Sequence, residues 1–350
     1  MGTLPLIALI QETALMKTRP TIIDVAECAG VSKTTVSRVV NGELDKVTEE
    51  TVQKVQAAIR KLGYVQNTIA SSLRTDRTNI VMLMIPDITN PFWPDVARGI
   101  QDVMGRQGYS VVFGNSDWSG EREVDFLRTA RRNRIGGILI NPIKVTEAEL
   151  LESQIPAVVI GNREGYPNLD MVGSDSYTAT QKALEYLFRL GHRRIGLLLG
   201  QSVVSSTQLR LDSFHHFFEK SGMPLDPELV LQVPFDHAGG MNGMRQLLDL
   251  STPPTAVLGA NDLIAIGAMH AAVEMGYRVP DNISIMGIDD IYVSSLMIPA
   301  LTTMRKQKYE LGQQSARLLL ERMNGVAVAE ARKIRLACQL VVRGSTAPLA

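Results

Sequence analysis

The sequence predicts two unlike parts: an all-α helix-turn-helix headpiece, then an α/β core of two doubly wound parallel-sheet lobes. Three observations carry this. Between Thr21 and Gly63 lie three short amphipathic segments with glycine at their turns; from Asn79 onward, apolar runs alternate with amphipathic helical stretches. The chain has 350 residues, 45% of them hydrophobic and 21% charged, which leaves room for two or three domains and excludes disorder, collagen and coiled coil.

The headpiece elements follow in order. Thr21 and Asp24 form a T-x-x-D start, and the first helix carries Ile22, Val25 and Ala26 to Gly30, where a left-handed residue is cheapest. Ser32 caps a second helix, Lys33 to about Val40, with Val36, Val39 and Val40 inward; Asn41-Gly42 ends it. Thr48 caps a third, with Val52, Val55, Ile59 and Leu62 on one face and Gly63 closing it. Lys33, Thr34, Thr35, Ser37 and Arg38 are left outward on the second helix. Short hydroxyls with one or two cations suit base edges and phosphates in a major groove, although a small protein-binding bundle would show the same pattern. Asn67 can cap two helical turns from Thr68 to about Arg74. A helix below about 12 residues is marginal alone, so this stretch reads either as a conditional helix or as a linker with Leu73 tucked against the next domain.

In the core, Ile80–Ile85, Ser110–Phe113, Gly137–Ile140, Ala157–Ile160, Ile195–Leu199, Ala256–Gly259 and Ile283–Gly287 read as strands covered on both faces. Helices are predicted at Asp95–Gln107, Tyr177–Leu190, Leu263–Met275 and Tyr309–Asn324, with crossings between lobes near Gly173–Ser176 and Thr302–Lys308. Thirty-six basic and thirty-six acidic side chains cancel, which argues against bulk coating of nucleic acid. Residues 1–80 hold ten basic and eight acidic groups, so any DNA binding must rest on specific contacts rather than charge. Cys28 and Cys338 form neither a disulfide framework nor a zinc spacing. Together with the lack of a secretion signal and of any membrane-length apolar run, they place the chain in a reducing cytoplasm. No metal, cofactor or catalytic motif is expected: there is no G-x-S-x-G, Walker loop or H-E-x-x-H, and the five histidines read as scattered surface or capping residues.

The run Thr21-Ile22-Ile23-Asp24-Val25-Ala26 … Ala29-Gly30-Val31-Ser32-Lys33-Thr34-Thr35-Val36-Ser37-Arg38-Val39-Val40-Asn41-Gly42 resembles the headpiece of the LacI/GalR family of bacterial repressors. Leu62-Gly63-Tyr64-Val65-Gln66-Asn67 … Ala70-Ser71-Ser72-Leu73-Arg74 resembles that family's hinge. One departure is Glu43-Leu44-Asp45-Lys46, one residue longer than the usual loop. The resemblance implies DNA contacts from Thr21, Ser32, Lys33, Thr34, Thr35, Ser37, Arg38, Asn41, Asn67, Ala70, Leu73 and Arg74, with Leu73 wedged into the minor groove. It also implies a core similar to periplasmic sugar-binding proteins. The expected organisation is a disordered tail at 1–16, a headpiece at 17–63, a hinge at 64–79 and a core at 80–345. Within the core, the N-lobe takes about 80–175 and 307–335, and the C-lobe about 176–306 and 336–345.

Ligands of open α/β sheets sit beyond the carboxyl ends of strands. Pro86-Asp87-Ile88-Thr89-Asn90-Pro91-Phe92-Trp93 resembles the family's effector loop, so Phe92 and Trp93 offer flat faces to a sugar or base, or else pack the lobe interface. Gln208-Leu209-Arg210-Leu211-Asp212-Ser213-Phe214 resembles its R-L-x-G-F segment, which makes Arg210 the effector clamp by position, with Ser206 on the same wall and Phe235 over the ligand. Asp289 completes the clamp unless it simply pairs with Arg210. Asn261 is a further contact, and Asp262 is expected to cap a helix. The expected molecule is a homodimeric, possibly tetrameric, repressor of a double-stranded operator, governed by a sugar- or nucleoside-like effector. Control by a protein partner, and a transport-type binding protein, are the alternatives.

Overall fold

The computed structural model describes residues 20–40, 42–64, 78–200, 205–326 and 330–349, with the side chains of residues 205 and 206 excepted. The calls on residues 1–16, Asn41, Asn67, Ala70, Leu73 and Arg74, and on the side chain of Ser206, lie outside the described residues. The chain divides into two compact units, Met1–Thr75 and Asp76–Ala350.

In the first unit, α1 (Ile22–Ala29), α2 (Lys33–Val40) and α3 (Glu49–Leu62) enclose Val25, Ala26, Val36, Val39, Val55 and Ala58. Thr21 and Asp24 form a reciprocal capping box, and Gly30 closes α1 at φ 67°. Thr35 N–H donates to Ser32 Oγ at 3.1 Å, so Ser32 opens α2. Thr48 departs from its expected role: it precedes α3, but its hydroxyl meets the Thr51 hydroxyl at 2.8 Å and caps no backbone N–H. The Glu43–Lys46 insertion is absorbed by a 3-10 turn at Leu44–Lys46.

The second unit contains two six-stranded sheets. The first is built from β1 (Ile80–Ile85), β2 (Ser110–Asn115), β3 (Gly137–Ile140), β4 (Ala157–Ile160), β5 (Asp170–Ser174) and β11 (Lys333–Leu336), in the order β11-β5-β4-β3-β1-β2. The second is built from β6 (Ile195–Gly200), β7 (Val230–Val233), β8 (Ala256–Gly259), β9 (Ser284–Asp289), β10 (Thr302–Arg305) and β12 (Gln339–Val341), in the order β12-β10-β9-β8-β6-β7. Every pairing is parallel except β10 with β12.

Strand periodicity explains the layering. On β1, Val81, Leu83 and Ile85 face α4 (Phe92–Arg106) and α11 (Lys308–Met323), whereas Met82 and Met84 face α5 (Gly120–Arg132) and α6 (Glu147–Glu152). In the second sheet, Leu198, Val257 and Ile285 pack under α9 (His237–Leu248) and α10 (Asp262–Glu274). Leu197, Leu199, Leu258 and Met286 pack under α7 (Ser176–Arg189) and α8 (Ser205–Lys220). The two helices α4 and α11 meet through glycine: a Cβ on Gly312 would lie 2.1 Å from Val96 O, and one on Gly99 would lie 2.2 Å from Tyr309 O. Among the described residues, the chain passes between the sheets after β5, after β10 and after β11, so three linkers form the joint between the lobes. No helix among the described residues is long and apolar enough to cross a membrane.

The histidine expectation is corrected. His192 is buried, with Nδ1 on Thr255 Oγ1 and Nε2 on Ser284 Oγ, each at 3.0 Å, and burial lowers its pKa. His237 and His270 are not scattered: Nε2 of one meets Nδ1 of the other at 2.7 Å across α9 and α10. No group of three or more potential metal-ligating side chains is found among the described residues.

Candidate functional sites: a helical DNA-reading face and an inter-lobe cleft

In the first unit, α2 turns Val36 and Val39 inward and leaves Lys33, Thr34 and Arg38 exposed, with Thr35 and Ser37 half-buried. The Ser32 and Thr35 hydroxyls hold each other at 2.9 Å at the helix start. Thr21 is exposed, but its hydroxyl donates to Asp24 Oδ2 at 2.8 Å, so that side chain is already engaged locally. The result is a short helix with a hydroxyl-rich opening turn, a cation at each end and a buried opposite face. Those dimensions fit a major groove.

In the second unit, a small cavity of about 100 Å³ lies between the sheets at the carboxyl ends of their strands. Phe92, Trp93, Arg210, Phe235 and Asp289 all line it. Asn90 caps the turn that presents the aromatic pair: its Oδ1 accepts from Phe92 N–H at 2.9 Å, and the Phe92 and Trp93 rings meet edge to face at 5.1 Å. Arg210 projects from α8 and is 1% exposed; burial pushes its pKa down, and the nearby Asp289 carboxylate opposes that.

Asp289 ends β9 at φ 132°, and Asp290 follows at φ 56°. Two successive non-glycine residues in that region are costly, so the surroundings must hold them there. Several bonds do so. Lys308 Nζ donates to the Asp289 carbonyl at 3.2 Å and also to the Asp290 carbonyl. Arg305 and Arg343 grip the Asp290 carboxylate at 2.6 Å each. Burial alone would raise the Asp290 pKa, but these two guanidiniums hold it down. Lys308 also stands 3.4 Å from Asp95 on α4, so one ammonium ties the strained turn of one lobe to a helix of the other.

Asn261, not Asp262, takes the helix-capping role. Asn261 is the helix cap: its Oδ1 accepts from Ile264 N–H at 2.7 Å and its Nδ2 donates to Phe235 O at 3.2 Å. Its side chain is thus engaged locally, and it is not among the described residues lining the cavity. Asp262 lies one layer deeper with no exposure. Its carboxylate accepts from Ile291 N–H at 2.8 Å, Ser294 Oγ at 2.6 Å and Thr303 Oγ1 at 2.5 Å, which fastens the segment after Asp290. Burial, reinforced by the Asp289 charge, pushes the Asp262 pKa up to about 6.

Among the cleft residues that sequence reasoning missed, two stand out. Trp118, at φ 61° after β2, faces Phe235 with ring centroids 5.7 Å apart, so an aromatic pair spans the two lobes. Lys306 follows β10 and places Nζ 2.8 Å from Asp289 Oδ1. That approach balances charge but lies off hydrogen-bond direction, and the buried oxygen has no hydrogen-bond donor among the described residues. Lys306 thus makes a close ion pair with Asp289, whose charge also acts on the neighbouring Arg210. A larger cavity of about 680 Å³ lies on the other side of Asn162, against the outer face of α8. Tyr166 is the one aromatic among its described lining residues, and its Arg163 and Lys333 already donate to backbone carbonyls.

Known proteins show the same two parts. Residues 21–67 match the model for bacterial regulatory proteins of the lacI family, and residues 184–346 match a periplasmic binding protein-like domain. The chain is 33% identical to the HTH-type transcriptional repressor CytR of Escherichia coli (strain K12), covering 95% of this chain and 98% of that one. A lac repressor dimer bound to operator and the anti-inducer ONPF superposes with a TM-score of 0.83 at 30% identity, over 94% of this chain and all of that one. The CelR–cellobiose complex matches with a TM-score of 0.71 at 29% identity, over 93% of this chain and all of that one. Identity of 33% across 95% of this chain makes it a member of the LacI family: a DNA-binding transcriptional regulator, not an enzyme.

Proposed function

We propose that the protein is a homodimeric repressor of the bacterial cytoplasm that reads a near-palindromic operator and is released from it, or locked onto it, by a small polyhydroxylated or nucleoside-like effector. The observation that carries this reading is the cleft. It has an arginine and an aspartate each at least 95% buried, an Asp289 oxygen short of a donor, and aromatic walls drawn from both lobes. Buried polar groups in such a state call for a ligand whose hydroxyls or N–H groups complete them.

The assigned roles follow the sequence expectation with two additions. Lys33, Thr34, Thr35, Ser37 and Arg38, with Ser32 at the helix start, read the groove, and Leu73 of the hinge supplies a wedge. Arg210 and Asp289 clamp the effector between Phe92, Trp93 and Phe235, joined by Trp118 and Lys306. Dimerisation has a surface to use: Tyr292, Leu296 and Ile298 are 74%, 58% and 96% exposed in one short stretch, and Val112 and Phe113 are exposed on edge strand β2.

A cavity of about 100 Å³ is below the roughly 300 Å³ usual for ligand sites. Occupancy therefore requires the lobes to part or Trp118 and Phe235 to swing, which is how an effector would favour one lobe angle over another. The test is operator binding by fluorescence anisotropy across a panel of sugars and nucleosides. An effector shifts operator affinity in the native protein, and Arg210→Ala abolishes that shift. A mutant that still responds removes the clamp assignment, and a flat panel favours control by a protein partner.

A further inference from the structure

One buried ammonium joins two segments that belong to different lobes. Helices α4 and α11 cross where Gly99 and Gly312 let their backbones touch, and about one turn earlier on each stand Asp95 and Lys308. Lys308 is therefore mounted on a close-packed helix crossing of the lobe that holds the first sheet. Its Nζ reaches out of that lobe, donating to the Asp289 carbonyl at 3.2 Å and to the Asp290 carbonyl, and it stands 3.4 Å from Asp95 Oδ2. Three acceptors for its three N–H groups satisfy an ammonium that is 8% exposed.

The two carbonyls belong to residues at φ 132° and φ 56°, a region that a non-glycine residue leaves unless its surroundings hold it. Arg305 and Arg343 grip the Asp290 carboxylate and Asp262 accepts from Ile291 N–H, but these groups stand on or beside the second sheet, in the same lobe as the turn. Lys308 holds the turn from the other lobe. Resting on the reading of Asp289 as a ligand contact, we infer that Lys308 is a positioning residue that acts through Asp289: it fixes the strained turn, and with it the direction of the Asp289 carboxylate. Lys308 is not among the described residues lining the cavity, so its effect on a ligand is indirect. A change of lobe angle that withdraws the ammonium releases the turn, and by linkage a ligand that needs Asp289 in place favours the arrangement in which Lys308 grips it.

The experiment has two arms on the full-length protein. Amide exchange followed by mass spectrometry tests the grip without a ligand. In Lys308→Met the segment 286–296 should exchange about tenfold or more faster than in wild type, with β6 and β8 unchanged. Lys308→Arg should restore protection, and Asp95→Asn should loosen the same segment to a smaller extent; Asp95→Asn carries this arm if Lys308→Met does not fold by circular dichroism. Calorimetric titration with ribose, cellobiose, adenosine and uridine tests the aim of the carboxylate. Affinity for a probe that wild type binds should fall about tenfold or more in Lys308→Met, but by less than about threefold when the same change is made in an Asp289→Asn background. Unchanged exchange in both Lys308→Met and Asp95→Asn, unchanged affinity in Lys308→Met, or a loss that adds in full to that of Asp289→Asn overturns the inference and leaves the small-effector reading in place. Binding by none of the four probes counts against the effector reading, and the exchange arm still decides whether Lys308 holds the turn.

Discussion

Replacing Asp262 with asparagine should remove a pH dependence of stability that the wild-type core carries. Asp262 is fully buried, and its folded-state pKa is about 6 against an ordinary 3.8. Below pH 3.8 the carboxyl is protonated in both folded and unfolded chains and the difference vanishes. As pH rises toward about 6 the unfolded chain ionises while the folded one resists, so this group's contribution falls with pH. The full loss is about 3 kcal/mol, present above about pH 6. Asparagine can keep the geometry: its oxygen accepts from Ile291 and Ser294, and its NH₂ donates to the Thr303 hydroxyl, which reverses its own role. Urea unfolding followed by tryptophan fluorescence isolates the core, because both tryptophans of the chain, Trp93 and Trp118, lie in the second unit. Stability curves of wild type and Asp262→Asn should diverge by about 2.4 kcal/mol between pH 4 and 7, with the variant gaining. Other carboxylates titrate alike in both and cancel. In an Asp289→Asn background the divergence should shrink, because the Asp289 charge is part of the cause. Parallel curves would refute the assignment of a charged, penalised carboxylate at this position.

Two further perturbations test the cleft and the hinge. At Gly200 a Cβ would fall 1.6 Å from Phe235 Cε2, so Gly200→Ala must drive that ring off its seat and out of contact with Trp118. Effector affinity should drop by tenfold or more, about 1.4 kcal/mol, with a shift in Trp118 emission; unchanged emission and affinity would show that the aromatic pair is incidental. Leu73→Ala should weaken specific operator binding far more than binding to random duplex in an anisotropy competition, because a wedge acts only where the duplex is kinked. Equal losses would remove the wedge role.

The parts legible in the sequence share a physical property. The headpiece elements are defined by local chemistry: the Thr21–Asp24 box, the left-handed Gly30, the Ser32 start and the valine spacing. Central strands such as Ile80–Ile85 and Ala256–Gly259 are covered on both faces and so read as continuous apolar runs. Asp170–Ser174, Thr302–Arg305, Lys333–Leu336 and Gln339–Val341 escaped because they are short and polar, and several lie at or beside sheet edges. That gap explains Lys306, which follows β10, whereas Trp118 was lost because β2 ends two residues beyond the expected Phe113. The rule that ligands sit beyond strand carboxyl ends, applied to the true end of β2 at Asn115, points at Trp118; applied to β10, it points at Lys306. The capping role of Asn261 in place of Asp262 had no signal of its own. Both residue types cap helices, and only the tertiary position of Ile291, Ser294 and Thr303 decides which one turns inward.

What the cleft adds to a pair of packed lobes is a joint whose two sides are wired to the same turn. Asp289 faces the cavity, its backbone is held at φ 132°, and the carbonyls of Asp289 and Asp290 are gripped by Lys308, which also reaches Asp95 on the helix that Phe92 opens. Directly after the turn, Asp262 anchors Ile291 and Ser294, and between and beyond them stand the exposed Tyr292, Leu296 and Ile298. A ligand that pulls on the Asp289 carboxylate therefore acts on one rigid segment. One end of that segment sets the lobe contact, and the other carries an exposed apolar surface. Such a segment cannot yield by degrees, because its strained dihedrals persist only while every grip is intact. Two discrete lobe arrangements, rather than a continuum of angles, are the expected consequence, and a ligand bound in the cleft would govern their populations only through its difference in affinity for each.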